Sequence, residues 1–208
     1  ILAIGIWASY PRPNFRGHPS TCSLLECSTN EQWVSPVWEF VLNSVKGGRL
    51  MEQKLNPGDN FPHINLDIVG GESLQIPQDL GGQFNIVLFY RGHWWPYCRR
   101  LLAGYEALIN QFKELGTEIV AASVDDEKKT SEVAEPLSFP IGYGVTRSQA
   151  DLMGSWWDET GSFIQPSEFI ISKSGKLMTS AYSNSPVGRM DPKETLTLLK
   201  FLADRKKQ

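Results

Sequence analysis

The sequence predicts an α/β sandwich built on a mixed central sheet, and three stretches carry that prediction. FNIVLFY (84–90) is a nearly continuous apolar run, as expected of a strand buried on both faces. Beyond it Cys98, Leu101, Leu102, Tyr105, Leu108, Ile109, Phe112 and Leu115 recur at three- and four-residue spacing. That periodicity predicts one amphipathic helix over 97–115, closed by Gly116. TEIVAASVD (117–125) then reads as a second central strand, completing a strand-helix-strand unit of the kind that layers helices on a sheet.

The remaining elements follow in order. HINLDIVG (63–70) alternates apolar and polar residues; with GES as a turn and SLQIP after it, the segment predicts an N-terminal β-hairpin. DEKKTSEVAEPL is a charged surface helix with Pro136 near its end, and IGYGV leads into a short helix around TRSQADLMG. SEFIISKSGKLMTSAYS (167–183) reads as two strands joined by a Lys-Ser-Gly-Lys turn. In DPKETLTLLKFLADRKK, Asp191 is placed as N-cap, Pro192 at the first helical position and Glu194 where a capping box needs it. Leu196, Leu199 and Leu202 would dock this helix, with Leu198 and Phe201 widening the face, and Arg205-Lys206-Lys207 would complement its dipole.

With 208 residues, the chain has enough length for a sizeable core. A net charge of −3 leaves no basic footprint for nucleic acid or an anionic membrane. No apolar run reaches the roughly 18–20 residues that a spanning helix requires. Cys22, Cys27 and Cys98 make no disulfide framework, so a reducing compartment, the cytoplasm, is expected. Spaced as they are and without a second ligand pair, Cys22 and Cys27 are weak grounds for a metal site.

Chemistry concentrates in GHWWPYC (92–98), where a strand hands over to a helix. A thiol in a first helical turn faces unpaired N–H groups and the positive end of the helix dipole, and both favour thiolate. In a Cys-x-x-Cys motif the first cysteine attacks and the second, one turn on, resolves the mixed product. Here Trp95 stands in the first position and Cys98 in the second, while Pro96 suits the first turn. Arg91, Arg99 and Arg100 add positive charge.

FYRGHWWPYCRR, QPSEFIISKSGKL and SPVGRMDPKETLTLLKF resemble, in order and spacing, the thioredoxin-fold peroxiredoxin superfamily of alkyl hydroperoxide reductases and thiol-specific antioxidant proteins. The branch they are most similar to carries RGHWCPYCRR. The resemblance covers 51–208 and implies a thioredoxin-like three-layer sandwich with redox chemistry on peroxides or disulfides. It implies no cofactor; electrons would come from thioredoxin, glutaredoxin or glutathione, and a homodimer through an edge strand or an aromatic surface is compatible with it. Against the pattern Pro-x-x-x-Thr-x-x-Cys, Cys98 falls on the peroxidatic cysteine, with Arg91 and Trp95 in the Pro and Thr places. The family's activating arginine would fall near Pro166, and Pro166 itself would be a cis proline against the sulfur, shaping a substrate groove with Pro96 and Tyr97. Arg189, in PVGR, also matches the family but has no assigned place in the site.

Three readings of the motif stay open. Cys98 works alone as a one-cysteine peroxidase or reductase; or the fold is a redox-inactive binding module with Cys98 as a small buried hydrophobe; or position 95 is naturally cysteine or selenocysteine, whose codons differ from that of tryptophan by one base. Position 95 is then the attacking site and Cys98 the resolving sulfur. Weaker signals surround the motif. His93 and Cys98 lack two further metal ligands, Asp125-Asp126-Glu127 opens a helix where acids belong anyway, and Trp94, Trp95, Tyr97, Trp156 and Trp157 suggest an aromatic surface.

Residues 1–50 differ in character. ILAIGIWASY is apolar without a basic segment before it, and 11–32 mix Pro, Gly, Ser, Thr, Asn and Cys without a period. In KGGRLM (46–51), Gly47-Gly48 can be encoded by a purine-rich ribosome-binding sequence, so Met51 is expected to be the native start and 1–50 translated upstream sequence. The other reading is a genuine extension with WVSPVWEFVLNSV (33–45) docking as a short helix. Protein expressed from the natural gene should therefore have Met51 as its first residue on N-terminal sequencing; a start well upstream contradicts this.

Overall fold

The computed structural model describes residues 53–205 except Pro186; residues 1–50, with Cys22 and Cys27, lie outside it. The first hairpin forms as expected, β1 (Ile64–Ile68) pairing antiparallel with β2 (Glu72–Ile76) in the register Ile64↔Ile76 and Ile68↔Glu72. The turn lies one step earlier than GES, at Val69-Gly70-Gly71, because the two glycines take the positive φ values of 107° and 90°.

β3 (Phe84–Phe89) is buried throughout and runs parallel to β4 (Thr117–Ala122). The expected single helix is two: α1 (Pro96–Ala107) and α2 (Ile109–Glu114). Leu108 breaks them apart with ψ at 8°, its N–H donating to Tyr105 rather than four residues back. The apolar stripe continues across the break, so Phe112 reaches the same core as Tyr105. After β4 come α3 (Glu127–Ala134), β5 (Ile141–Tyr143) and α4 (Arg147–Leu152), then a small hairpin of β6 (Trp157–Asp158) and β7 (Phe163–Ile164). β8 (Ser167–Ser172), β9 (Leu177–Tyr182) and α5 (Pro192–Arg205) complete the described chain.

Seven strands make one mixed sheet in the order β2-β1-β5-β4-β3-β8-β9. Alternation along β3 divides the core between its faces. Phe84, Ile86 and Leu88 pack under α1 and α5, while Val87 and Phe89 join Phe61, Ile76, Phe169 and Met153 on the other side. This is the three-layer sandwich expected of the thioredoxin fold. No helix among the described residues is long and apolar enough to cross a membrane.

α5 starts as its sequence demands, with the Lys193 N–H donating to the Asp191 carboxylate at 2.8 Å. Leu196 and Leu199 are buried with Thr195 and Ala203, and Leu198 and Leu202 pack partly against the same core. Phe201 does not widen this face: it is 56% exposed. It lies two residues beyond Leu199, about 200° round the helix, on the solvent side. Leu199→Ala should therefore cost about 2–5 kcal/mol in urea unfolding, against less than about 0.5 kcal/mol for Phe201→Ala. Equal losses would contradict the observed helix orientation.

Candidate active site

Parallel pairing of β3 with β4 brings two strand ends to one edge of the sheet, the edge at which open α/β folds place their ligands. The loop 91–95 emerges there and is held from two sides. Asp125, just beyond β4, is buried; its carboxylate accepts from the His93 backbone at 2.6 Å, faces His93 Nδ1 at 2.8 Å and accepts from the Ser123 hydroxyl at 2.9 Å. On the other side Arg91 Nε donates to Gln165 Oε1 at 2.9 Å. The Arg91 guanidinium lies 4.8 Å from the Phe163 ring and 5.2 Å from Trp95. The Trp94 ring lies over Gly92, where a Cβ would fall 2.0 Å from it and displace the ring.

The loop delivers α1 with Trp95 as its cap residue, in extended conformation and making no side-chain capping bond, and Pro96 at its start. Cys98 occupies the third helical position and is wholly buried, at 0% exposure. Arg189 reaches it from the segment before α5: Arg189 Nη2 donates to Cys98 Sγ at 3.1 Å. This supplies the place in the site that the sequence left unassigned. Arg189 also borders a cleft of about 270 Å³, together with Pro166, Glu168, Ser183, Asn184 and Met190, so one side chain joins the sulfur to an opening at the surface.

Several expected residues are placed differently. The Gln165–Pro166 bond is trans, not cis; the cis bond among the described residues is Ile76–Pro77. Trans is intrinsically favoured by about 0.5–1 kcal/mol for X–Pro, and here Pro166 simply continues into β8, its carbonyl accepting from Ser183 at 2.9 Å. Pro166 does border the cleft, whereas Pro96 and Tyr97 are exposed on the first turn of α1 and do not line it. Arg99 and Arg100 face solvent. The aromatic residues form a rim: Trp95 stacks on Tyr97 at 6.0 Å, and Trp94, 46% exposed, meets Phe163 edge-on at 5.7 Å. Trp156 is exposed under Lys54, and Trp157 is half-buried in β6. Of the acidic run, Asp126 caps α3, accepting from the Lys129 N–H at 2.9 Å, and Asp125 turns inward to His93.

Glu168 was not singled out by the sequence reading, although a glutamate inside the apolar run EFII was the available signal. It is 2% exposed, facing the helices from β8. Its carboxylate accepts from the Met190 N–H at 3.2 Å and from the Tyr105 hydroxyl at 3.4 Å, and Tyr105 in turn contacts the Thr195 hydroxyl at 3.2 Å. Burial pushes the Glu168 carboxyl up to about 7, against the pull of the Met190 N–H, the Arg189 charge and the Tyr105 hydroxyl. Burial likewise raises the phenols of Tyr90 and Tyr105 and keeps both neutral.

The folded chain holds the Glu168 proton to about pH 7, while a free glutamate releases it near 4.5. Its contribution to stability is thus fully present below pH 4.5 and is lost as the pH rises to about 7. The loss amounts to about 3 kcal/mol. Urea unfolding should show stability falling across this window in the wild type, with a clearly smaller fall in Glu168→Gln; identical pH profiles would contradict the assignment.

The similarity of this chain to known proteins agrees with that geometry. Residues 57–180 match the family model described as "AhpC/TSA family". A peroxiredoxin of Treponema denticola is 22% identical over 139 residues, covering 64% of this chain and 66% of the relative. A peroxiredoxin of Thermotoga petrophila is 24% identical over 144 residues, covering 64% and 65%. The chain thus spans just under two thirds of the length of these curated relatives. Among solved structures, peroxidoxin BcpB of Mycobacterium tuberculosis superposes with a TM-score of 0.63 at 19% identity, covering 71% of this chain and 98% of that one. That likeness establishes the shared fold, and the family match, over more than half of the sequence, establishes the lineage: the chain belongs to the AhpC/TSA family.

Proposed function

We propose that this chain is a thiol oxidoreductase that reduces peroxides, with Cys98 as its reactive sulfur. The observation that carries the reading is the Arg189 guanidinium 3.1 Å from that sulfur, on a side chain that also borders a cleft. In the reaction the Cys98 thiolate attacks the terminal oxygen of a peroxide. The S–O bond forms as the O–O bond breaks; the sulfur becomes a sulfenic acid, and the departing alkoxide takes up a proton as an alcohol, or as water from hydrogen peroxide. A guanidinium at this point stabilises both the attacking anion and the charge that develops on the leaving oxygen. In this reading an external thiol reduces the sulfenic acid: it displaces water to form a mixed disulfide, and a second thiol releases Cys98. Thioredoxin, glutaredoxin or glutathione fits that role, and all operate in a reducing cytoplasm.

A sulfur with no exposed surface reacts only when the surrounding structure opens locally, so the reaction is expected to be slow beside that of a peroxidase with an open pocket. Family membership weighs for redox chemistry and against the reading as an inert binding module. The half-exposed place of Trp95, one turn outside Cys98, fits the order of an attacking outer residue and a resolving inner cysteine.

Two measurements test the proposal. Peroxide consumption coupled to a thiol reductant should vanish in Cys98→Ser and fall about 100-fold in Arg189→Met, the scale of losing one charge-stabilising donor. Unchanged turnover in either variant contradicts the reading. Trp95→Cys should create a reducible pair and confer insulin reduction; a folded but inactive variant would show that position 95 is not an attacking site.

A further inference from the structure

Arg189 lies on a segment between β9 and α5 that belongs to no regular element, so sheet or helix hydrogen bonding does not fix it. A direct bond ties its immediate neighbour to the sheet: the Met190 N–H donates to Glu168 Oε1 at 3.2 Å. Glu168 is itself anchored. β8 holds it between β3 and β9, opposite Leu88 and Ala181, and the Tyr105 hydroxyl of α1 donates to its second oxygen. A continuous path therefore runs from the helix that carries Cys98, through Tyr105 and Glu168, to the backbone beside Arg189 and back to the Cys98 sulfur.

We infer that Glu168 is a positioning residue for the redox site: its carboxylate oxygen, by accepting the Met190 N–H, holds the 188–190 segment where Arg189 can donate to Cys98. This deepens the peroxide-reducing reading and rests on it for its biological meaning. A carboxylate buried among apolar strands is a costly way to fill space, and an apolar side chain of similar size would pack there without a desolvation penalty. What side-chain oxygens supply at this point, and an apolar side chain would not, are acceptors for the Met190 N–H and the Tyr105 hydroxyl.

The charged and titratable groups facing Glu168 are Arg189 from the segment, Tyr105 from α1 and, beyond Tyr105, Asp191 at the start of α5. The nearest charge, Arg189, offers an opposing possibility. Glu168 could act only as a negative charge that offsets the guanidinium, in which case removing it would make Cys98 more reactive. The two roles predict opposite signs and differ in what an amide does.

The test is the rate of iodoacetamide alkylation of Cys98 in the full, folded chain near neutral pH, followed by mass, with thermal unfolding recorded for each variant. Glu168→Leu should slow alkylation about tenfold, and Glu168→Gln, whose amide oxygen still accepts an N–H, should stay within about twofold of the wild type. In an Arg189→Met background, Glu168→Leu should have no further effect, because Glu168 acts through Arg189. Faster alkylation in Glu168→Leu, or Glu168→Gln behaving like Glu168→Leu, overturns the inference, as does a full Glu168→Leu effect without Arg189. If Glu168→Leu does not fold, the Glu168→Gln result decides, since retention of the rate is required. The readout needs no peroxide turnover, so a chain that consumes no peroxide yet shows this pattern refutes the proposed function alone.

Discussion

The contact between the Arg189 guanidinium and the Cys98 sulfur joins two parts of the chain 91 residues apart, and the architecture of the site depends on it. A buried sulfur alone is another small apolar member of the core under α1. A guanidinium set against it, on the wall of a cleft, makes it a place where negative charge can be held. Each neighbouring element contributes to that contact. β3 and β4 bring the loop to the sheet edge, Asp125 and Gln165 fix its course, and Glu168 ties down the segment from which Arg189 reaches in.

The balance between burial and access sets the character of the site. At the start of α1, Pro96 and Tyr97 face outward, the cap residue Trp95 packs half-buried against the core, and Cys98 points inward. The cleft is lined by Pro166 and by Arg189, whose guanidinium donates to the sulfur. The family's fold is retained with a tryptophan as the cap residue of α1.

Most of the fold was legible because it is written in local periods. The buried strand at 84–89, the hairpin at 64–76 and the capped helix from Pro192 all emerge from the alternation or three-to-four spacing of their own residues. The break at Leu108 was not legible, since the apolar stripe runs through it and neither Gly nor Pro marks it. β6 and β7 have two residues each, too short to show any period. Within the site, the motif placed Cys98 at the helix start, but the contacts of Arg189 with Cys98 and of Met190 with Glu168 join segments far apart in sequence, which local spacing does not encode. The trans state of Pro166 was equally out of reach, because resemblance to a thioredoxin motif carried an isomer that this backbone does not adopt.

The central claim is that Cys98, though buried, is a redox sulfur and not a core filler. The most direct measurement is the time course of dimedone trapping while the folded chain stands with hydrogen peroxide, followed by peptide mass analysis. A redox sulfur held by Arg189 should give labelling of Cys98 that accumulates in the folded chain at the slow rate set by local opening, with little in Arg189→Met. Labelling of Cys98 only after unfolding would contradict the claim and leave the sulfur as part of the core.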